Sequence, residues 1–254
     1  MVQPKKSPFK KTVSRLITIV CLGVFIFAAY GLIDIFIDYY QNRQLLSNVQ
    51  DTFYDAASAE TSSSESIRPG FEELLKQNAD VVGWITIDGT QIDYPVLQAE
   101  DNVHYLTRNY YHDESRAGSI YLDYRNDIRS SDERNIVIYG HRMKDGSMFQ
   151  HLTKFLDKDF FDAHRKIQFD TLYESYEAEI FAVYNTLTNF NYIQTDFDSN
   201  EEYGQFLSKI KNESKFETNV NVSEKDTIVT LSTCDYQLDK DEGRLVVQAK
   251  LTKK

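Results

Sequence analysis

Cysteine is nearly missing from this chain: 254 residues hold two, Cys21 and Cys234. Cys21 lies in an apolar run near the N-terminus, so no disulfide framework is available to the rest. Paired Cys-x-x-Cys, His-Glu-x-x-His and Gly-rich phosphate-loop patterns are also missing, so the sequence implies no metal, nucleotide or other cofactor. Leu238-Asp-Lys-Asp-Glu-Gly243 departs from calcium-loop spacing and carries a lysine inside it, so it reads as a solvated turn. Positive charge is outnumbered by negative beyond the first fifteen residues. The whole chain carries −11 and that short tail +5, which leaves −16 for the remainder. Such a surface excludes nucleic acid as a partner, because phosphate binding needs clustered Lys and Arg. No internal repeat is present.

What the chain does have begins with Leu16 to Ile33, eighteen residues without a charge, and the apolar character continues past Asp34 to Ile37. That length crosses a bilayer as a helix. Lys5, Lys6, Lys10, Lys11 and Arg15 precede it with no acidic residue among them, and a basic flank stays on the cytoplasmic side. A cleaved signal peptide would have a shorter apolar region and a small-x-small site, whereas Ala28-Ala29 is trailed by Tyr30 and more apolar residues. The expectation is a cytoplasmic tail over 1–15, a single-pass plasma-membrane anchor over 16–37, and an extracellular remainder. Residues 38–69 read as a stalk. Leu45, Leu46, Val49 and Phe53 fall at helical spacing there, and Ser62-Ser-Ser-Glu-Ser-Ile-Arg-Pro69 reads as a joint. Residues 70–254 then suffice for one domain with a sizeable core.

Strands dominate that domain. Gly83-Trp-Ile-Thr-Ile-Asp-Gly-Thr-Gln-Ile-Asp-Tyr-Pro-Val-Leu97 places two β-branched runs about an Asp-Gly, a hairpin signal. Gly118–Tyr124, Asn135–Tyr139, Lys166–Phe169, Tyr176–Tyr184, Asp226–Cys234 and Arg244–Leu251 complete eight short strands. Helical patterns fall at Phe71–Gln77, Met148–Leu156 and Glu201–Ile210. A mainly β fold with this spacing predicts a closed, eight-stranded antiparallel barrel with peripheral helices, since closure removes exposed edges.

Cys234 ends the run Thr230-Leu-Ser-Thr-Cys234 and has no partner for a disulfide outside the apolar segment. An unpaired thiol in an exported domain is prone to oxidation, which favours a reactive role over a buried structural one. A free thiol is mostly protonated at neutral pH and needs a base. Of five histidines, His141 follows Gly140 at the end of a predicted strand, where a side chain reaches a barrel rim; His104, His112, His151 and His164 lie in polar or helical stretches. Arg244 opens the strand after the Cys234 loop. Antiparallel pairing would return it beside Cys234 to hold a carbonyl or an oxyanion. Its alternative is an ion pair with Asp239, Asp241 or Glu242.

The set Thr230-Leu-Ser-Thr-Cys234, His141 and Arg244 resembles the Cys-His-Arg pattern of sortases, the anchored cysteine transpeptidases of Gram-positive bacteria. Gly83–Gln98, Gly118-Ser-Ile-Tyr-Leu-Asp-Tyr-Arg-Asn126, Tyr139-Gly-His-Arg-Met-Lys-Asp-Gly-Ser-Met-Phe149 and a helical insertion at 201–214 are similar to segments of class B. The resemblance covers residues 70–251 and the anchor. It implies an eight-stranded sortase-type barrel and a two-step acyl transfer. Cys234 would attack the Thr carbonyl of an Asn-Pro-x-Thr-type sorting signal on a secreted surface protein. His141 would protonate the leaving amine, and a peptidoglycan amine would resolve the thioester. Arg244 would hold substrate and oxyanion. The resemblance further implies substrate contacts at Asn102 and Leu106 on one wall, at Thr188, Tyr192 and Ile193 on the lid side, and at Ser232 and Asp235 beside the nucleophile. Each of these is otherwise a loop residue, and Leu106, Tyr192 and Ile193 are otherwise core. Two other functions compete: a cell-envelope cysteine protease or amidase that uses water in the second step, and a non-catalytic surface module with an incidental thiol.

Overall fold

Eight strands form where the sequence predicts them, and they close on one another. The computed structural model describes residues 8–59, 67–130 and 132–254; Lys5, Lys6 and most of the predicted joint at 62–69 lie outside that range. Residues 1–41 and 42–254 are two separate compact units. In the first, helix α1 (Pro8–Ala59) begins, and its apolar side chains from Leu16 to Ile37 are largely exposed. By length and composition this stretch can cross a membrane.

The second unit contains the last turns of α1, helix α2 (Pro69–Gln77) and a barrel. Its strands are β1 (Val81–Thr86), β2 (Asp93–Leu97), β3 (Tyr121–Leu122), β4 (Asn135–Tyr139), β5 (Lys166–Thr171), β6 (Ser175–Leu187), β7 (Ile228–Cys234) and β8 (Gly243–Lys253). Around the barrel the order is β1-β2-β3-β4-β7-β8-β6-β5, with β5 returning to β1. The Asp88-Gly89 turn joins β1 to β2, and Gly89 takes the left-handed conformation such a turn needs. Helix α3 (Lys158–Ala163) escaped the sequence reading. It is short and capped by Asp157, whose carboxylate accepts from the Phe160 N–H. Met148–Leu156 is a 3₁₀ stretch over Phe149–Leu156.

The expectation of an all-antiparallel barrel is corrected in two places. β2 pairs with β3 in parallel, and β4 pairs with β7 in parallel. Parallel neighbours need a long crossover. Between β4 and β7 it consists of the 3₁₀ stretch, α3, β5, β6 and helix α4 (Asn200–Glu213). β3 is also shorter than the predicted Gly118–Tyr124. Gly118 has positive φ beneath the Leu106 carbonyl, and the chain turns at Asp123, whose carbonyl accepts from the Asn126 N–H.

Two buried clusters hold the barrel. On one side α4 lays Tyr203, Phe206, Leu207 and Ile210 against Phe181, Tyr184, Ile228 and Val246. On the other, Val49 and Phe53 of α1 and Phe71 and Leu74 of α2 pack on Trp84, Leu97 and Tyr121. The helical spacing of Val49 and Phe53 therefore marks a docking face. The Phe53 ring stacks on Trp84 at 4.2 Å with the planes 2° apart. Beside it Asp93 Oδ1 accepts from Trp84 Nε1 at 2.6 Å, Tyr54 Oη at 2.7 Å and Thr86 Oγ1 at 3.1 Å. Burial and the Asp93 carboxylate push the Tyr54 phenol up to about 12. Removing a buried phenylalanine ring typically costs 3–5 kcal/mol, so Phe53→Ala should destabilise residues 42–254 by about 3 kcal/mol. Denaturant unfolding followed by the fluorescence of Trp84, the single tryptophan, measures it.

Candidate active site

The parallel register of β4 and β7 pairs Tyr139 with Ser232. Two residues on from each are His141 and Cys234, so both leave the barrel at the same rim. The Gly140 N–H donates to the Ser232 carbonyl at 3.2 Å and extends the ladder to the residue before His141. Gly140 is required by close approach: a Cβ there would collide with Ile120 and Phe149. On the other side of β7 the antiparallel register pairs Cys234 with Arg244. Gly243 precedes that arginine, and a Cβ on it would run into the Asp235 and Asp239 carbonyls that close the β7–β8 turn.

Cys234, His141 and Arg244 line one cleft of about 300 Å³. His141 Nε2 lies 2.7 Å from the Leu106 carbonyl oxygen, which can only accept, so Nε2 carries the proton and Nδ1 is the other, exchangeable nitrogen. Arg244 Nη1 donates to the carbonyls of Asp241 at 3.0 Å and Gly243 at 2.8 Å. Among the described residues it makes no ion pair with Asp239, Asp241 or Glu242. Cys234 is half-buried and its thiol is free.

The cleft also gathers six of the seven predicted substrate contacts: Asn102, Leu106, Thr188, Tyr192, Ile193 and Ser232. Tyr192 is buried and its hydroxyl shares a 2.9 Å hydrogen bond with Ser232 Oγ. Asp235 lies apart from the cleft lining. It is 3 % exposed, and Oδ1 accepts from Arg142 Nη1 at 3.2 Å while Oδ2 accepts from Asn185 Nδ2. That pair ties the His141 turn to the Cys234 turn. The other four histidines lie elsewhere: His104 shares a hydrogen bond with His112, His151 accepts from the Gln91 N–H, and His164 stacks on Phe160.

Sequence reasoning passed over Tyr121, Tyr139 and Thr233, which also line the cleft. Tyr121 and Tyr139 face one another in the β3–β4 ladder with ring centroids 5.3 Å apart. Their positions at strand ends beside Gly140-His141 were the available signal. Burial, then nearby Asp123, pushes both phenols up, so they stay neutral at physiological pH. The Thr233 hydroxyl is buried without a hydrogen-bond partner among the described residues. No group of His, Cys, Asp and Glu among those residues has the arrangement of a metal site.

Removing one member of a buried ion pair commonly costs 3–5 kcal/mol because the other charge is stranded. Arg142 keeps some solvent contact, so Arg142→Ala is expected to lower stability by about 3 kcal/mol, toward the low end of that range. Thermal and denaturant unfolding check this, and Arg142→Ala/Asp235→Leu should recover part of the loss.

Comparison with known proteins agrees with this geometry. Residues 85–252 match the sortase domain family. Sortase B of Listeria monocytogenes is 44% identical over 247 residues, covering 96% of this chain and 99% of that protein. The crystal structure of sortase B from B. anthracis in complex with AAEK1 is 50% identical, with a TM-score of 0.77, and covers 86% of this chain and all of the other. A Staphylococcus aureus sortase B–substrate complex is 39% identical, with a TM-score of 0.79, covering 85% and 99%.

Proposed function

The chain belongs to the sortase family, to the class B cysteine transpeptidases that anchor surface proteins to the cell wall, and on that premise we propose how its cleft carries out the reaction and on what. The substrate is an Asn-Pro-x-Thr-type sorting signal. Cys234 Sγ attacks the Thr carbonyl carbon, a C–S bond forms, and the C–N bond to the following residue breaks. His141 takes the proton that the Cys234 thiol loses and passes it to the departing amine; it later takes one from the incoming peptidoglycan amine, whose nitrogen replaces sulfur on the acyl carbon, and returns it to the released thiolate. With Nε2–H held by the Leu106 carbonyl, Nδ1 is the nitrogen that exchanges that proton. Arg244 steadies the oxyanion with the N–H groups that its contacts to Asp241 and Gly243 leave over. Asn102, Leu106, Thr188, Tyr192, Ile193 and Ser232 contact the peptide, and Asp235 acts by bracing the Cys234 turn.

The observation that carries this reading is the joint presence of thiol, imidazole and guanidinium in one cleft at the ends of neighbouring strands. The N-terminal apolar helix supports membrane anchoring. We place residues 1–15 inside, 16–37 in the bilayer, 38–69 outside as a stalk whose residues 42–59 pack onto the barrel, and 70–254 outside as the catalytic domain, from the basic flank.

Incubation with a fluorogenic sorting peptide and an amine nucleophile should give ligated product faster than hydrolysed product, with a thioester on Cys234 seen by mass. Hydrolysis alone would identify an envelope protease instead. Cys234→Ala should abolish both adduct and product and leave the unfolding midpoint nearly unchanged. An ammonium cannot reproduce a guanidinium fork, so Arg244→Lys should lose about 10²–10³ in turnover, almost as much as Arg244→Ala. Near-full turnover of Arg244→Lys would remove Arg244 from the mechanism.

A further inference from the structure

Asp123 follows β3 and has no exposed surface. It does not line the cleft, yet its carboxylate reaches the groove walls. Oδ2 accepts from the Tyr139 hydroxyl at 2.7 Å, from Asn102 Nδ2 at 3.0 Å and from Arg125 Nη2 at 2.7 Å. Oδ1 accepts from Arg125 Nε at 2.8 Å and from the Arg125 N–H at 3.0 Å. Arg125 Nη2 then donates to the Ile193 carbonyl at 3.0 Å. Asn102, Tyr139 and Ile193 come from three different segments, and all three line the groove.

We propose that Asp123, acting with Arg125, is the positioning residue that holds three walls of the peptide groove in their binding arrangement before substrate arrives. This rests on the sorting-peptide reading above. A buried carboxylate is costly unless every lone pair is used, so it draws donors toward itself and fixes them. Burial raises its pKa, and the Arg125 and Tyr139 hydrogen bonds more than reverse that, holding Asp123 below the usual carboxylate range. It is therefore ionised throughout the neutral range. The neighbouring carbonyls of Tyr192 and Gln194 are held by the buried Asn135 Nδ2 of β4, at 3.1 and 2.9 Å. That leaves the Ile193 peptide to Arg125. Neither Asp123 nor Arg125 is hydrogen-bonded to Cys234, His141 or Arg244 among the described residues.

The test uses full-length protein in detergent, a fluorogenic Asn-Pro-x-Thr-type peptide and a fixed amine, with iodoacetamide alkylation of Cys234 as a chemistry-only readout. Asp123→Asn keeps the shape and removes the charge. Charge-assisted hydrogen bonds are roughly twice as strong as neutral ones, so KM for the peptide should rise about tenfold or more. The alkylation rate should stay unchanged and kcat should fall far less than KM rises. Arg125→Gln, which releases the Ile193 wall and weakens the Asp123 pair while Tyr139 and Asn102 still donate to Asp123, should also raise KM without slowing alkylation, and it decides the matter by the same comparison if Asp123→Asn does not fold. An unchanged KM, or a parallel fall in kcat and alkylation, overturns the proposal and leaves a purely structural aspartate. If wild-type protein alkylates normally but turns over no peptide, the sorting-peptide reading fails and this inference with it.

Discussion

β4 and β7 run parallel with Tyr139 opposite Ser232, and the site depends on that register. Side chains alternate along a strand, so a slip of one residue would turn His141 or Cys234 to the opposite face. The register is held by a buried network on the barrel face that α4 covers. Thr230 Oγ1 donates to Asn135 Oδ1 at 2.6 Å, Gln248 Nε2 donates to Thr230 Oγ1 at 2.9 Å, and the Tyr184 hydroxyl donates to Gln248 Oε1 at 2.9 Å. This chain crosses β4, β7, β8 and β6, and its members are almost wholly buried. A partner slipped along its strand would leave buried polar atoms unpaired, at about 1–3 kcal/mol each. One network thus fixes the three strands that carry histidine, cysteine and arginine. Through Asn135 Nδ2 it also fixes the loop that carries Tyr192.

How much of this was legible varied with the range of the interaction involved. The strands were readable because β-branched alternation is local, and the positions of Cys234, His141 and Arg244 at strand ends followed from it. Their convergence did not follow. Antiparallel return of β8 beside β7 is a short-range inference, whereas the β4–β7 pairing joins segments about ninety residues apart, and no local pattern distinguishes a parallel from an antiparallel partner. The family resemblance supplied that juxtaposition. The same limit hid Asp123 and Arg142, whose partners come from distant segments. It also gave Asp235 a place beside substrate when its carboxylate is turned to Arg142 and Asn185. Within Thr230–Cys234 the first threonine belongs to the buried network rather than the cleft, a division of labour that a motif cannot express.

The α1 segment shows the converse. Leu45, Leu46, Val49 and Phe53 at helical spacing signalled an apolar face without saying what covers it. Trp84 covers part of it, and the Asp93 carboxylate satisfies the indole and the Tyr54 phenol at the edge of the stack. Residues 42–59 therefore complete the barrel's core instead of merely leading to it.

Charge at the cleft reads differently from charge over the whole chain. Residues 16–254 are strongly acidic, yet among the described residues no carboxylate lines the cleft. Asp123 and Asp235, which bond to or flank cleft residues, are buried, and each is paired with an arginine of its own, Arg125 and Arg142. The tyrosines around it are held neutral by burial. Among the described residues that line the cleft, Arg244 carries the one permanent charge, and no carboxylate accompanies it there. A cation so placed, in a partly desolvated space, interacts far more strongly with a developing oxyanion than it would at an open surface. Pairing Asp123 and Asp235 internally leaves the Arg244 charge uncompensated in the cleft, which is what the proposed oxyanion role requires.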